Sequence, residues 1–318
     1  MKFQSITKQI TLLFGTLMFV VCTGLGISAY LNANDALKTT IDENLLEIAR
    51  ADAKIISEKV TAQLNALETI ANSPWIKSKD LTTKEKLDLL QDEINRSGYK
   101  DIVIADTSGI SFITSGNSID IHEREFFIKA LAGESTVSDP IVSKTDGSII
   151  VVFGVPIKED NTVIGVLLAN RDGNELSNFI AEMQYSNQEV FMINNNSTVV
   201  AHKDHNLVME MYNIFNDYET NPELEGLYKL AKNMTEGLIG VGEYTFNGMT
   251  KYMGYYPVEG TNWSLAVTAP KSVVLTKIAD LTQSMMIVSV VFILIGIVLT
   301  ILIAGNITQP IKKSSKSW

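Results

Sequence analysis

The run Arg124-Glu125-Phe126-Phe127 sets one guanidinium ahead of two adjacent aromatic rings. A guanidinium can hold a carboxylate through two parallel hydrogen bonds, so Arg124 is a natural anchor for an acidic ligand, and Phe126 and Phe127 could wall the space beside it. The competing reading gives Arg124 a surface ion pair with Asp120, Glu123 or Glu125, and gives the two rings ordinary core packing. A second group, His202 and His205 with Asp204 between them, has a metal-ligand spacing but lacks an evident third ligand. Solvated histidines in a polar loop are the simpler account. No nucleophile elbow, P-loop, C-x-x-C or H-E-x-x-H occurs, so the sequence calls for no enzyme, no cofactor and no metal.

Two uncharged apolar runs, Ile10–Tyr30 and Ser284–Gly305, bracket these groups. Each exceeds the roughly 20 residues a helix needs to cross a bilayer core. Backbone amides inside lipid must pair internally, so both runs read as transmembrane helices. Lys2 and Lys8 precede the first run, while Lys312, Lys313 and Lys316 follow the second, which puts both ends in the cytoplasm and residues 31–283 outside. The first run is too long for the apolar part of a signal peptide and ends in a poor cleavage site, Ala29-Tyr30-Leu31. Membrane lipid is therefore one expected partner.

All 36 acidic residues and 21 of the 26 basic ones fall between the two runs, leaving that stretch at about −15. Such a surface argues against nucleic acid or anionic headgroups as partners. The single cysteine, Cys22, lies inside the first run, so no disulfide ties the exterior part together. From Asn32 to Ser73 no Gly or Pro intervenes, and apolar residues recur at Ile41, Leu45, Ile48 and Ile55, then Ile56, Val60, Leu64, Leu67 and Ala71. This predicts one stalk helix running out of the first membrane span. A rod that long must lie along the rest of the domain or along a second copy, so a homodimer is expected. A second helix is predicted over Thr82–Ser97.

The texture then turns to β. Asp101–Asp106 and Ile110–Thr114 flank Thr107-Ser108-Gly109 as a hairpin, a helix follows at His122–Ala132, and strands are expected near Thr136–Ser143, Ser148–Ile157 and Thr162–Asn170. About 88 residues on, Glu189–Asn194 and Thr198–His202 form a matching hairpin, with Gly242–Phe246, Thr250–Pro257 and Trp263–Ala269 as the matching strands. A helix at Asn174–Met183 separates the units. This reads as an internal repeat of one five-stranded α+β unit.

The phrases Glu123–Ala130, Ile164–Leu176 and Gly260–Lys271, set in this architecture, resemble the double Cache (dCache) sensor domain of bacterial methyl-accepting chemotaxis receptors; Ala304–Lys313 looks like the start of a HAMP linker. The resemblance implies an α+β fold in which two transmembrane helices flank a long stalk helix and two tandem PAS-like lobes, each with an antiparallel sheet. Expected segments are a cytoplasmic N-terminus (1–9), a first membrane helix (10–30), stalk and second helix (31–97), a membrane-distal ligand-binding lobe (98–173), a linking helix and membrane-proximal lobe (174–283), a second membrane helix (284–305) and a truncated HAMP-like linker (306–318). It further implies a multi-pass protein of the bacterial plasma membrane that binds a small solute for chemotaxis, with its cytoplasmic part outside this sequence. A histidine kinase or nucleotide-cyclising enzyme can carry the same exterior domain, and a stand-alone tethered binding protein is the remaining alternative.

In amino-acid-binding members an Arg-x-Trp-Tyr motif holds the ligand carboxylate, while a Tyr-x-Asp and a later Asp hold the ammonium. Here Arg124, Phe126 and Phe127 occupy the first motif, Ile141 and Ser143 fall at the Tyr-x-Asp, and Asn170 falls at the final Asp. The departure removes the carboxylates that would neutralise an ammonium, which is costly to desolvate unpaired. A carboxylate-bearing organic anion is therefore expected over an amine; Asp139 or Asp172 could restore the charge if the strands are shifted.

Overall fold

The structure, a computed structural model, describes residues 6–113, 118–183 and 188–314. It divides into two compact units, Met1–Ile41 with Lys271–Trp318, and Asp42–Pro270. The N-terminal helix α1 (Ile6–Ala71) contains the first apolar run and the stalk in one piece and stops just short of Pro74, whose fixed φ instead opens the short α2 (Pro74–Lys77). Next comes α3 (Thr83–Ser97), started by a capping box between Thr82 and Glu85 and closed by Gly98 in the left-handed region.

A seven-stranded sheet follows, built from β1 (Asp101–Ala105), β2 (Ile110–Phe112), β3 (Ser118–Asp120), β4 (Thr136–Val137), β5 (Ile141–Val142), β6 (Ile149–Glu159) and β7 (Thr162–Asp172), with α4 (Glu125–Leu131) after β3. Helix α5 (Glu175–Ala181) leads to a five-stranded sheet of β8 (Glu189–Asn194), β9 (Val199–His202), β10 (Gly240–Phe246), β11 (Met249–Pro257) and β12 (Trp263–Pro270). Between β9 and β10 lie α6 (His205–Met209), α7 (Ile214–Thr220) and α8 (Glu225–Thr235). The last helix, α9 (Lys271–Ser314), carries the second apolar run, with a mean hydropathy of 3.2 over Met286–Ile303. Both terminal helices are long and apolar enough to cross a membrane. Within their unit they cross at Gly296, where an added methyl would overlap the Met18 thioether. Small residues allow such close approach of helices in lipid.

The two sheets repeat one topology. The order β2-β1-β7-β6-β4 in the first matches β9-β8-β12-β11-β10 in the second, and every pairing is antiparallel. The strand expected over Thr136–Ser143 is instead two short pieces, β4 and β5, both paired to β6. Ser138-Asp139-Pro140 breaks it, since Pro140 has no N–H to give a ladder. The edge strand β3 and the helices α6 to α8 were not expected, and Thr114, placed at the end of the second strand, lies outside the described residues.

From Asp42 onward the stalk lies along its own domain. Its covered stripe is Leu45, Ala49, Asp52, Ala53, Ile56, Val60, Leu67 and Ala71, whereas Ile55, expected on that stripe, is 40% exposed. The stripe steps by three and four from Leu45, and that phase places Asp52 inward and Ile55 outward. Asp52 is 1% exposed, and neither carboxylate oxygen has a hydrogen-bond partner among the described residues. Burial pushes its carboxyl up to about 6 from 3.8. A raised acid pKa destabilises the fold fully above about 6 and not at all below 3.8. Asp52→Asn is therefore expected to stabilise the protein by about 2–3 kcal/mol at neutral pH. That gain over wild type fades as the pH falls through this window, which melting curves of the two proteins across pH would measure.

Candidate functional site

Arg124 is the N-cap residue of α4, held there with extended backbone while its carbonyl accepts the Phe127 and Ile128 amides. This seats its guanidinium beside β5, where Nη2 donates to the Val142 carbonyl at 3.2 Å. None of the three acids near it in sequence takes the charge. Glu125 pairs with Lys129 at 2.7 Å, and Asp120 and Glu123 both meet the His122 ring, at 2.7 and 3.6 Å. The Asp120 hydrogen bond raises the pKa of His122, and the His122 backbone and ring lower that of Asp120, so each favours the other's charged form. Among the described residues Arg124 has no ion pair.

Arg124, Phe126, Ile141, Ser143 and Asn170 all line one cavity of about 50 Å³ over the first sheet, bounded by α4 and by that sheet's short strands β3 and β5. That volume admits one or two waters at about 30 Å³ each. Phe127, expected to line it, is 2% exposed and packs in the core beneath α4, because successive helical side chains diverge by about 100°. The floor is apolar, with Val103, Ile150, Val152 and Leu168 from the three central strands. Its polar groups are Ser111, Ser143, Thr145 and Asn170, and its charges are Arg124 and Lys144. No carboxylate is among the described lining residues. A space with two cations, several hydroxyls and no acid suits an anion.

Lys144 and Ser111 were missed by sequence reasoning. Lys144 directly precedes the Thr145-Asp146-Gly147 turn, whose lysine nothing in one sequence would single out. Its ammonium donates to the Asp120 carbonyl at 2.7 Å, which ties the β5 side of the cavity to the β3 side.

The two acids that could have restored an amine site sit elsewhere. Asp172 ends β7 and accepts the Asn174 amide at 2.9 Å, at the strand-to-helix junction. Asp139 reaches the second sheet, where its carboxylate accepts from Trp263 Nε1 at 2.6 Å, Asn194 Nδ2 at 2.8 Å and Asn262 Nδ2 at 3.3 Å. Asp139 also borders a wider recess of about 540 Å³ beside the cavity, with Arg124, Phe126 and Ile141 common to both. The guanidinium thus stands in the wall between the recess and the cavity. The histidine pair does not converge: the His202 ring accepts the Asp204 amide at 2.9 Å at the end of β9, and the exposed His205 begins α6.

The dCache_1 model of the Cache domain matches residues 33–278. The methyl-accepting chemotaxis protein McpB of Bacillus subtilis (strain 168) is 27% identical over 205 residues, which are 62% of this chain and 28% of McpB. The chain thus spans well under two thirds of that relative's length. The ligand-binding domain of the Pseudomonas fluorescens chemoreceptor CtaA, solved with L-leucine, superposes with a TM-score of 0.60 at 18% identity, covering 76% of this chain and 99% of that domain. An extracellular domain assigned to a histidine kinase, mmHK1S-Z2, superposes with a TM-score of 0.57 at 15% identity, covering 73% and 98%.

Proposed function

The chain belongs to the dCache_1 family of Cache domains, and we propose on that footing that it is the sensing portion of a bacterial transmembrane chemoreceptor. In this reading α1 and α9 cross the plasma membrane, both chain ends are cytoplasmic and residues 31–283 face outward, as the lysines flanking the apolar runs favour. The first sheet is the membrane-distal lobe and holds the ligand. The observation that carries the ligand class is the cavity itself: an unpaired guanidinium and an ammonium, without a carboxylate among the described lining. The ligand is a small organic anion of a few carbon atoms. It is larger than the one or two waters the closed cavity admits, so it enters as Arg124 and β5 swing aside and open the cavity into the adjoining recess of about 540 Å³; Arg124 and Lys144 then hold it, and Ser143 and Asn170 orient it. CtaA was solved with an amino acid; the present cavity lacks a group to neutralise such a ligand's ammonium.

A route for the signal follows from Ser138-Asp139-Pro140. Ile141, on the cavity, is two residues from Asp139, whose carboxylate holds Trp263 and Asn194 of the second sheet. Drawing β5 toward a bound anion pulls on that attachment, and α9 is the next element in the chain after β12. Only a difference in affinity between the two positions of β5 can shift the equilibrium. The homodimer belongs to the proposal as well, with Ile55 on the outward face of a stalk whose inner stripe is filled by its own domain. The likeness to mmHK1S-Z2 favours one second reading, in which the same sensor drives a kinase.

A fusion of the full 318-residue chain to the cytoplasmic part of a chemoreceptor of known output tests the function. The known output of that receptor, read in the hybrid, should respond to a small carboxylate. A hybrid that binds the carboxylate while its output stays flat would reduce the chain to a tethered binding protein.

A further inference from the structure

We propose that the five-stranded sheet carries a second small-molecule site, for a compact apolar molecule bearing one carboxylate. Between that sheet and the helices α6 to α8 lies a chamber of about 270 Å³, several times the size of the cavity at Arg124. The chamber opens to solvent on the side of the exposed Lys203, Asp204 and Met249, and Phe191, Ile214, Leu227 and Phe246 wall its inner part. Binding pockets of this kind combine apolar walls with a few convergent polar groups.

The polar groups gather at one end. Glu189 on β8 is gripped by both Lys203 and Lys251, and Lys251 is only 5% exposed. Burial alone would raise the Glu189 carboxyl, yet the hydrogen bonds from the two lysines hold it below the usual range. Two ammoniums thus share one carboxylate. The other acid at this end, Asp204, is already engaged as the cap of α6, accepting the Asn206 amide at 3.1 Å. Beside them His202 accepts the Asp204 amide on Nδ1, and its partial burial lowers its pKa, so the neutral ring carries its proton on Nε2. Among the described residues Nε2 has no hydrogen-bond partner. The two lysines and two acids balance in charge, and the end of the chamber offers N–H donors from His202 Nε2 and from two ammonium groups whose hydrogens Glu189 does not exhaust, while its walls offer apolar contact. A ligand matching both has a short hydrocarbon or aromatic body and one carboxylate head.

The assignment is independent of the site at Arg124, and its test separates the two. The full chain in lipid nanodiscs is titrated by calorimetry with phenylacetate and with its uncharged analogue phenylacetamide. Phenylacetate is expected to bind, and phenylacetamide about tenfold more weakly or not at all. Lys203→Met, a half-exposed position where folding is safe, should weaken phenylacetate about tenfold, and Leu207→Trp should abolish binding by filling the chamber. Arg124→Ala should leave phenylacetate binding unchanged. Equal binding of acid and amide, no binding of either at millimolar concentration, or loss of phenylacetate on Arg124→Ala would each overturn the assignment.

Discussion

Gly254→Val is expected to destabilise the sensor unit by on the order of 4 kcal/mol, among the largest effects of any single exchange outside the terminal helices. Gly254 lies in the middle of β11, where the stalk rests directly on the sheet. A Cβ there would stand 2.5 Å from the carbonyl carbon of Leu45, 2.6 Å from the nitrogen of Leu46 and 2.7 Å from the Leu45 oxygen. These are backbone atoms of a helix, so no rotamer change can make room. The stalk must lift away from the sheet, and the burial of Leu45 and Ala49 suffers with it. For a unit of this size the loss corresponds to a melting temperature lower by roughly 8–16 °C. Gly254→Ala should fall between the two, since its single methyl meets the same atoms. A melting temperature within a degree or two of wild type would mean that the stalk does not lie on β11.

Arg171→Met should cost about 3–5 kcal/mol, the range for breaking a buried ionic cluster by removing one member. Arg171 is 8% exposed and joins three elements that are distant in sequence. Nη1 donates to Glu175 at 2.8 Å, and Nη2 donates to the stalk residue Gln63 at 3.1 Å and to the Ser97 carbonyl at 2.8 Å. The guanidinium also lies over the Tyr99 ring, 4.6 Å from its centroid, and Tyr99 itself donates to Gln63 at 3.1 Å. Methionine keeps much of the apolar volume but leaves the partly buried Glu175 without its cation and the Ser97 carbonyl and Gln63 without their donor. Arg171→Lys should recover only part of the loss, because one ammonium cannot span the geometry of the fork. Chemical denaturation measures both variants, and a change below about 1 kcal/mol for Arg171→Met would remove the cluster from the account.

These two positions illustrate what one sequence can reveal. Periodicity made α1, α3 and most strands legible, because a face of apolar side chains leaves the same record in sequence and in space. The repeat was legible because its two halves keep the same strand order and hairpin spacing. Arg171 carries no signature in the sequence, since its partners Gln63 and Ser97 lie 108 and 74 residues away. Asp52 was hidden by the opposite effect: an acid in a helix normally marks the wet face, and tertiary packing overrode that. Helix α8 was legible in principle, since Leu227, Leu230, Ala231 and Met234 step by three, one and three along its buried side. The polar residues between them and the Asn- and Glu-rich approach masked the pattern.

The candidate site divides in the same way. Arg124, Phe126, Ile141, Ser143 and Asn170 were placed together by resemblance, and one cavity contains all five. Phe127 was expected on the cavity and packs in the core instead, its side chain about 100° around α4 from that of Phe126. Lys144 and the fate of Asp139 depend on how Ser138-Asp139-Pro140 breaks the strand and turns that carboxylate to the second sheet. A loop's direction has no periodic signature.

One pair of titrations tests the anion selectivity of the Arg124 cavity most directly. Propanoate and alanine share a three-carbon acid and differ only in the amine, so calorimetry of the full chain in nanodiscs isolates the missing ammonium partner. The account predicts that propanoate binds, that alanine binds at least about a hundredfold more weakly, and that Arg124→Ala abolishes propanoate binding while Arg124→Lys restores part of it. Tight binding of alanine without propanoate, or unchanged propanoate binding to Arg124→Ala, would contradict it.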